Sequence, residues 1–481
     1  MAVFLCPAAA AGPSAMDILD TPVSAQSDDE GSDGNSQDGR YSSHPAPELR
    51  QCTSAEEAKI DVIMSNTIII GGGPAALLAA LRLHRSNSIS PVLYEIRREP
   101  STLGGAIGIP ANGLRLLNEL QLYDDCVAKG ALTSSLVLHA LNGCVMGELD
   151  LAEWSKQRIG FGYLRIRRTD IMDVLLAALK RDNIPIHFGK TLASIDEKDD
   201  QVSVHFSDGT TDTADFLLGC DGIHSSVRNL YVDPDSKPVY TGISNMFSLV
   251  STTNLSPGPE MPITQLNATL TSDGLFAVSP ATPSSDLLYW FFSREIPLPG
   301  SGDSRDGWEA TSKAEVDNFK STLLQLLGQE KSEWGDAIRE MIQKTETVKF
   351  YPIYKLPAGR PWFKNRCLVI GDAAHAMPPH ASQGVSMALE DVFLLSKMLK
   401  TENLDLDKGL AAYVEKRKAR TDAMLSKAER NSTVRKQTSP WRVRAKEVAI
   451  SGGLWIYKNT GLGQLGIGQK DLEYSIHSEE F

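Results

Sequence analysis

Short apolar runs alternate with amphipathic stretches from residue 66 to about residue 235, a pattern typical of α/β folds. The apolar runs have the length of buried strands, and the amphipathic stretches repeat their apolar positions with helical spacing. The predicted elements of this part are strands at residues 67–70, 91–95 and 216–219, helices at 77–85 and 166–180, and paired strands over 184–206 closed by the turn Asp208-Gly209.

The pattern changes between about residues 235 and 355, where Thr, Ser and Pro are frequent and long helices are few. Short aromatic runs such as residues 287–292 predict strands, and a helical stretch follows at residues 315–327. Residues 401–447 return to a helical pattern, in which one face is expected to point inward through Leu410, Tyr413, Val414 and Met424. We therefore predict an α/β domain with an inserted, largely antiparallel second domain and C-terminal helices.

Composition and charge exclude several classes of protein. The 481 residues carry a net charge of -12, which argues against nucleic-acid binding through a broad basic face. The six cysteines are scattered, with no CxxC pair and no histidine at metal-ligand spacing, so we expect a reduced cytoplasmic chain without a metal site. No apolar run reaches the roughly 20 residues that span a bilayer. Residues 1–63 are predicted to be a disordered N-terminal extension.

The first candidate site is a glycine turn that follows the first predicted strand. Gly71, Gly73 and Ala76 match the pattern Gly-x-Gly-x-x-Gly/Ala of dinucleotide-binding βαβ units. Gly71 makes the turn, Gly73 lets backbone N–H groups approach a pyrophosphate at the helix N-terminus, and Ala76 permits close packing of helix on strand. Glu95 ends the next strand, where a carboxylate accepts hydrogen bonds from an adenosine ribose.

Two further segments complete a set of three. Residues 219–228 contain Asp221-Gly222 with a downstream Ser and Arg228, and residues 366–391 run from an apolar strand through Gly371-Asp372 and a Pro-Pro loop into a helix near Gly384. With the glycine turn, these segments occur in the order found in the single-component flavin-dependent aromatic hydroxylases. Over roughly residues 65 to 425, the chain resembles these class A monooxygenases, which have the para-hydroxybenzoate hydroxylase fold.

The resemblance implies a domain organisation and a cofactor. The expected fold is α/β, with a Rossmann-like FAD-binding domain formed by residues 64–235 and 350–400. A mixed, largely antiparallel substrate-binding sheet domain is expected at residues 236–349, and C-terminal helices with a tail at residues 401–481. The family holds FAD tightly without a covalent bond and uses NADPH or NADH as a transient reductant.

The resemblance also implies roles for single residues. Besides the glycine turn and Glu95, the resemblance implies that Ala106, in the loop 103–110, lies over the flavin and that Arg168 lies near the FAD. Asp221 is implied to contact both FAD and NAD(P)H, with Arg228 as its internal partner. Asp372 is implied to bind the ribityl chain, and Gly384 and Val385 to lie at the pyrimidine edge of the flavin. A helix that begins near Gly384 would point its partial positive charge at that edge. His224 and His380 lie beside these motifs and are candidates for a proton relay or for hydrogen-bonded structural histidines.

The implied activity is an FAD-dependent, NAD(P)H-consuming monooxygenation that transfers one oxygen atom from O2 to a small organic substrate, in a monomer or homodimer, with a role in secondary metabolism. Some relatives hold an anionic substrate with a Tyr-Arg pair where this chain has Met246 and Phe247, so an apolar or aromatic substrate is expected. An epoxidase or Baeyer-Villiger-type oxygenase on a polyketide-like or terpenoid-like substrate would use the same cofactor residues. An FAD-binding escort protein would have no need of the Asp221 segment.

Overall fold

The computed structural model of the protein describes residues 64–100, 104–258, 262–297, 308–310, 313–327, 332–401 and 403–481. The extension predicted at residues 1–63, and the first residue of the loop predicted at 103–110, lie outside the described residues. The strands are β1 (Asn66–Ile70), β2 (Ser90–Glu95), β3 (Ala106–Pro110), β4 (Ala131–Leu132), β5 (Ser135–His139), β6 (Val145–Asp150), β7 (Tyr163–Arg167), β8 (Ile186–Phe188), β9 (Leu192–Lys198), β10 (Gln201–Phe206), β11 (Thr211–Ala214), β12 (Phe216–Gly219), β13 (Val239–Ser251), β14 (Leu266–Leu270), β15 (Leu275–Pro280), β16 (Leu287–Glu295), β17 (Trp308–Ala310), β18 (Val348–Lys355), β19 (Phe363–Lys364) and β20 (Cys367–Val369). The helices are α1 (Pro74–Asn87), α2 (Ala111–Glu119), α3 (Tyr123–Val127), α4 (Glu153–Ile159), α5 (Arg168–Arg181), α6 (Lys313–Leu326), α7 (Glu333–Lys344), α8 (Asp372–His375), α9 (Gly384–Met398), α10 (Leu406–Ser432) and α11 (Pro440–Asn459).

A six-stranded sheet with the order β19-β20-β12-β1-β2-β8 forms the centre of the α/β part. Its strands run parallel except for the short edge strand β19. The apolar run Ile68 to Ile70 is buried, as expected for a parallel strand that is covered on both faces. Helix α1 packs against α5 and α9. The α/β prediction from the apolar pattern is confirmed.

A second sheet has eight strands in the order β17-β18-β13-β16-β15-β14-β5-β6. All neighbours are antiparallel except β14 and β5, so the expected mixed, largely antiparallel sheet is confirmed. Trp290 and Trp334 are fully buried between this sheet and α7. The sheet also takes in β5 and β6, which come from the part of the chain assigned by sequence to the cofactor domain. The domain bounds themselves stay a prediction.

A small sheet has three strands in the order β3-β7-β4. Along β7, Leu164 and Ile166 point into the α/β core, so Tyr163, Arg165 and Arg167 point to the opposite face. The helix predicted at residues 166–180 therefore begins two residues late, at Arg168, because its first two positions finish this strand. The hairpin predicted at Asp208-Gly209 joins β10 to β11.

The helical pattern at residues 401–447 corresponds to two helices, α10 and α11, rather than one. Pro440 is the first residue of α11, where its missing N–H costs no hydrogen bond, and Ser439 before it is extended. The four inward positions predicted for α10, from Leu410 to Met424, are buried. Within the described residues, no helix has the length and apolar content required to cross a membrane.

Candidate cofactor-binding site

The glycine turn after β1 is closely packed on one side and open on the other. Gly71 has a φ of +126°, and a Cβ atom built on it would lie 2.5 Å from the carbonyl oxygen of Cys220. A Cβ atom on Gly72 would lie 2.9 Å from the Glu95 carboxylate. A Cβ atom on Gly73, by contrast, would meet no atom within 4 Å. The first two glycines are thus required by the fold, and the third borders free space.

This free space lies in front of the N-terminus of α1. Gly73 is the N-cap residue in an extended conformation, and Pro74 is the first helical residue. The unpaired N–H groups of the first turn attract anions, so the free space suits a phosphate. Ala76 is fully buried, as its predicted packing role requires, and Glu95 is buried at the end of β2. The Glu95 Oε1 atom accepts a hydrogen bond of 2.9 Å from the Arg97 N–H.

Asp221 lies two residues after β12, the neighbour of β1 in the sheet. One of its oxygen atoms accepts hydrogen bonds from the backbone N–H groups of Ser226 (2.5 Å) and Val227 (3.3 Å). Its other oxygen, Oδ1, is buried and has no partner among the described residues. Burial raises the pKa of Asp221, an effect that these hydrogen bonds oppose. A buried carboxylate oxygen without a donor fits a ligand hydroxyl group.

Arg228 ties this segment to the next one. Its guanidinium donates hydrogen bonds to the carbonyl oxygens of Ile223 (2.5 Å) and Ala373 (2.6 Å). The expected internal partner of the Asp221 segment therefore also reaches the Gly371-Asp372 segment. Asp372 begins α8, just after Gly371, whose φ is +59°. The Asp372 residue is exposed to solvent. Its pKa is raised by desolvation, an effect that the charges of His375 and Arg168 oppose.

The predicted helix at Gly384 is confirmed as α9, and its N-terminus borders free space. A Cβ atom on Gly384 would meet no atom within 4 Å. Val385 follows in the first turn, and Ser382 before the helix has a φ of 54°. A helix of 15 residues with an open N-terminus favours a partial negative charge in front of it.

The loop around Ala106 packs over Arg168. The Arg168 N–H donates a hydrogen bond of 2.9 Å to the carbonyl oxygen of Gly105, and a Cβ atom on Gly104 would lie 2.7 Å from the Arg168 Cδ atom. A Cβ atom on Gly105 would clash with the rings of Tyr289 and Phe247, which belong to the eight-stranded sheet. The loop therefore lies between the cofactor residues and the second sheet.

A buried ionic network supports the cleft from behind. Arg417 donates to Asp391 Oδ1 (2.7 Å) and to Glu390 Oε2 (2.9 Å), and all three side chains are almost fully buried. Asp391 also accepts from the Gly371 N–H (2.8 Å). Glu390 accepts from Asn112 Nδ2 (2.8 Å), which reaches it from α2. The sequence predicted the helix that carries Arg417 but not its partnership with the two acids, although adjacent carboxylates in an apolar helix are an unusual signal.

The two candidate histidines differ in their surroundings. His224 stacks edge-on against Tyr354, with ring centroids 5.9 Å apart. His380 lies in the loop before α9, and its Nε2 atom is buried without a hydrogen-bond partner among the described residues. Desolvation and the charge of Arg435 lower the pKa of His380 to about 2. The ring is therefore neutral near neutral pH.

Replacing His380 with asparagine is expected to leave the pH dependence of turnover unchanged near neutral pH, because a ring that stays neutral has no titration to lose. The measurement is kcat/KM across the neutral range in both proteins, for the NAD(P)H oxidation that the resemblance implies. A shifted or flattened pH profile in His380→Asn would instead support a proton-relay role for this ring.

Comparison with known proteins identifies a family and a fold. A family model described as FAD binding domain matches residues 64–428. The chain is 26% identical to a 6-hydroxynicotinate 3-monooxygenase of Pseudomonas fluorescens, over 69% of the chain and 82% of that protein. It is 28% identical to the 3-amino-4-hydroxybenzoate 2-monooxygenase PtmB3 of Streptomyces platensis, over 73% of the chain and 83% of that protein.

Solved structures share the fold at low sequence identity. Klebsiella pneumoniae HpxO, crystallised with FAD and uric acid, superposes with a TM-score of 0.69 at 22% identity, covering 84% of this chain and 97% of HpxO. A salicylate hydroxylase substrate complex superposes with a TM-score of 0.66 at 21% identity, covering 85% of this chain and 98% of that one. These structural matches support the fold alone.

Proposed function

Because the chain belongs to the FAD binding domain family, we propose that it uses the residues of this cleft to bind FAD and hydroxylates a small aromatic compound with NAD(P)H and O2. It is an oxidoreductase of the FAD-dependent monooxygenase class, as are the relatives that it matches. One observation supports the site above all others. The glycine turn, Asp221 and Asp372 follow the ends of β1, β12 and β20, three adjacent parallel strands whose carboxyl ends share one edge of the sheet.

The open positions and the charges of these residues support FAD as the ligand. The free space at Gly73 and the N-terminus of α1 would take the pyrophosphate, and Glu95 the adenosine ribose. Asp372 would accept hydrogen bonds from the ribityl chain, and Asp221 has an oxygen atom left for a ligand hydroxyl. The open N-terminus of α9, at Gly384 and Val385, would face the pyrimidine edge of the flavin. When bound, FAD supplies the redox chemistry and the activation of oxygen.

The protein's own contribution is orientation and exclusion of water. Ala106 and its loop, with Arg168 beneath, would cover one side of the flavin. Tyr289 and Phe247 of the eight-stranded sheet meet this loop, with ring centroids 5.9 Å apart. Their rings would form an apolar wall for an aromatic substrate next to the flavin. A site closed in this way protects the reactive cofactor from water.

The test is anaerobic and aerobic NADPH oxidation against a panel of phenols and aromatic acids. We expect at least one compound to accelerate flavin reduction about tenfold or more, and to yield a product that has gained one oxygen atom. Oxidation that no compound accelerates and that releases only peroxide would contradict the monooxygenase proposal. A polyene that gains an epoxide, or a ketone that becomes an ester, would favour the alternative oxygenases, and FAD binding without NADPH oxidation would favour the escort protein.

We also propose a cytoplasmic location. Cys126, Cys144, Cys220 and Cys367 are free thiols, and the other two cysteines lie outside the described residues. Free thiols in both buried and exposed positions support a reducing compartment.

A further inference from the structure

Arg165 is a buried cation that forms no salt bridge with any carboxylate of the described residues. Only 6% of its surface is exposed, and its Nε atom is buried without a hydrogen-bond partner among those residues. Other buried arginines do have acceptors for their Nη atoms: Arg228 and Arg435 donate to backbone carbonyl oxygens, and Arg417 donates to a carboxylate. A buried guanidinium N–H donor that has no acceptor is costly. A ligand that carries a hydrogen-bond acceptor can supply the acceptor that this site lacks.

Arg165 lies where the cofactor cleft meets the eight-stranded sheet. It sits in β7 opposite Gly108 of the flavin loop, on the face that points away from the α/β core. Its guanidinium carbon is 5.6 Å from the ring centroid of Tyr163 and 6.0 Å from that of Tyr289. The Tyr163 hydroxyl donates to Ser382 Oγ (3.2 Å), two residues before α9 begins. The cation is thus enclosed by the two loops that would border the flavin ring.

We propose that Arg165, between the rings of Tyr163 and Tyr289, binds a carboxylate group of the aromatic substrate. The inference rests on the proposed function. It adds an anionic group to the apolar or aromatic substrate expected from Met246 and Phe247 of β13, because the cation that β13 lacks is supplied by β7. A planar guanidinium pairs with a carboxylate through two parallel hydrogen bonds, and the flanking rings keep water away.

Paired acid and amide ligands test this assignment. The holoenzyme and Arg165→Met would be titrated with salicylate, anthranilate and nicotinate and with the amide of each, following the flavin spectrum. We expect the native protein to bind at least one acid with an affinity about tenfold or more above that of its amide. Arg165→Met is expected to lose this preference and to keep its FAD content, Arg165→Lys to keep part of the preference, and Arg158→Met, which alters an exposed arginine of α4, to keep all of it.

Several results would overturn the assignment. An equal affinity for acids and amides in the native protein would show that no anion site exists. A preference that survives in Arg165→Met would place the anion elsewhere, and loss of FAD from that variant would make Arg165 a cofactor residue. Failure of the proposed function can be distinguished from failure of the anion site. A protein that holds no FAD, or that holds FAD and does not oxidise NADPH, contradicts the proposed function before any acid is compared with its amide.

A second, independent inference concerns the exposed face of α11. Four bulky apolar side chains on this helix point to solvent: Trp441 (67% exposed), Val448 (74%), Trp455 (67%) and Ile456. The opposite face is anchored, since Ile450 and Leu454 are buried against the strands of the eight-stranded sheet. Residues 441, 448 and 455 are seven apart and therefore lie on one side of the helix.

The charges that border this apolar face are positive. At 100° per residue, Arg442 and Lys446 flank one side of the face, and Arg444 and Lys458 flank the other. Glu447 is the single acidic residue in the sequence of α11, and it is buried and paired with Arg444 at 3.2 Å. This concentration of positive charge contrasts with the net charge of -12 of the whole chain. Two copies of such a face would repel each other, whereas a negatively charged surface would complement it.

We infer that α11 docks on an anionic lipid surface, lying in the interface with its two tryptophans among the headgroups. Tryptophan prefers this zone, and basic residues beside an apolar helix face favour acidic lipids. The arrangement is that of a helix lying on a membrane rather than crossing it.

Vesicle sedimentation of the full-length holoenzyme tests the inference. We expect the bound fraction to be at least about fivefold higher on phosphatidylcholine vesicles that contain phosphatidylserine than on phosphatidylcholine alone, and to fall with added salt. The double variant Trp441→Glu, Trp455→Glu should lose binding and retain its FAD and turnover, whereas Val239→Glu, at an exposed apolar residue of β13, should bind like the native chain. Two results would overturn the membrane assignment. One is a native protein that does not bind acidic vesicles, and the other is a native protein that is a dimer in solution while the double variant is a monomer.

Discussion

Replacing Gly73 with valine is expected to weaken FAD binding strongly while the chain stays folded. A Cβ atom at this position meets no protein atom within 4 Å, and the backbone there has a φ of -86°, which valine adopts without strain. The side chain would instead occupy the space in front of α1, where the pyrophosphate must approach the backbone. We expect the dissociation constant for FAD to rise by about 100-fold or more, equivalent to about 2.8 kcal/mol.

Two matched variants separate this effect from a general loss of structure. Gly258→Val adds the same side chain at another position with no atom within 4 Å, outside the cleft, and is expected to bind FAD normally. Gly71→Val should fail in a different way, because its Cβ atom would meet backbone atoms of Cys220 at 2.5 Å and its φ is positive. The measurements are FAD titration by fluorescence quenching and thermal unfolding of each apoprotein. Normal FAD affinity in Gly73→Val would contradict the assigned pyrophosphate position.

Replacing Arg417 with methionine is expected to lower the free energy of unfolding by about 3 to 5 kcal/mol. Arg417 is the shared cation of Glu390 and Asp391, and its removal leaves two buried carboxylates with fewer partners. The same carboxylates hold Gly371 and Asn112 in place, so FAD should also bind less tightly. Denaturant unfolding of the apoprotein measures the loss, and Arg430→Met, at an exposed position of α10, should change stability by about 0.5 kcal/mol or less.

The loss of unfolding free energy in Arg417→Met should depend on pH, and the direction of this dependence follows from the pKa of Asp391. Burial alone would raise the pKa of Asp391, but the charges of His375 and Arg417 and the hydrogen bonds outweigh burial and hold the pKa below the ordinary value. A carboxyl group with a lowered pKa stabilises the folded state at neutral pH and loses that contribution as pH falls through its folded pKa. The difference in the free energy of unfolding between the native protein and Arg417→Met should therefore become smaller as pH falls. A difference that does not change with pH would contradict the assigned role of the charge.

The cofactor turn could be predicted from the sequence because its determinants are local. A buried strand, a glycine that must accept a positive φ and a helix that starts at Pro74 are specified by about ten consecutive residues. The Asp221 and Gly371-Asp372 segments were recognised in the same way, each after an apolar strand. These segments meet at one sheet edge because their strands are parallel neighbours. That arrangement was expected only from the resemblance to a known family.

Contacts between distant segments could not be predicted. The union of β5 and β14 in one sheet depends on pairing across more than a hundred residues, and no local pattern encodes that register. The ionic network joins α2, α9 and α10, and only the adjacent acids Glu390 and Asp391 gave a local hint of it. In the sequence, Arg165 is one of three arginines within four residues, and nothing local distinguishes it. Its burial depends on tertiary packing, with the Tyr289 ring of the second sheet close to its guanidinium.

Reconstitution with FAD followed by reduction tests the central claim most directly. The full-length chain, stripped of any flavin and incubated with FAD, should retain about one FAD per chain after gel filtration, and NADPH should bleach that flavin in the absence of oxygen. Asp372→Ala should retain much less FAD under the same conditions. A chain that remains colourless after reconstitution, or whose bound flavin NADPH cannot reduce even with an aromatic substrate present, would contradict its assignment as an FAD-dependent monooxygenase.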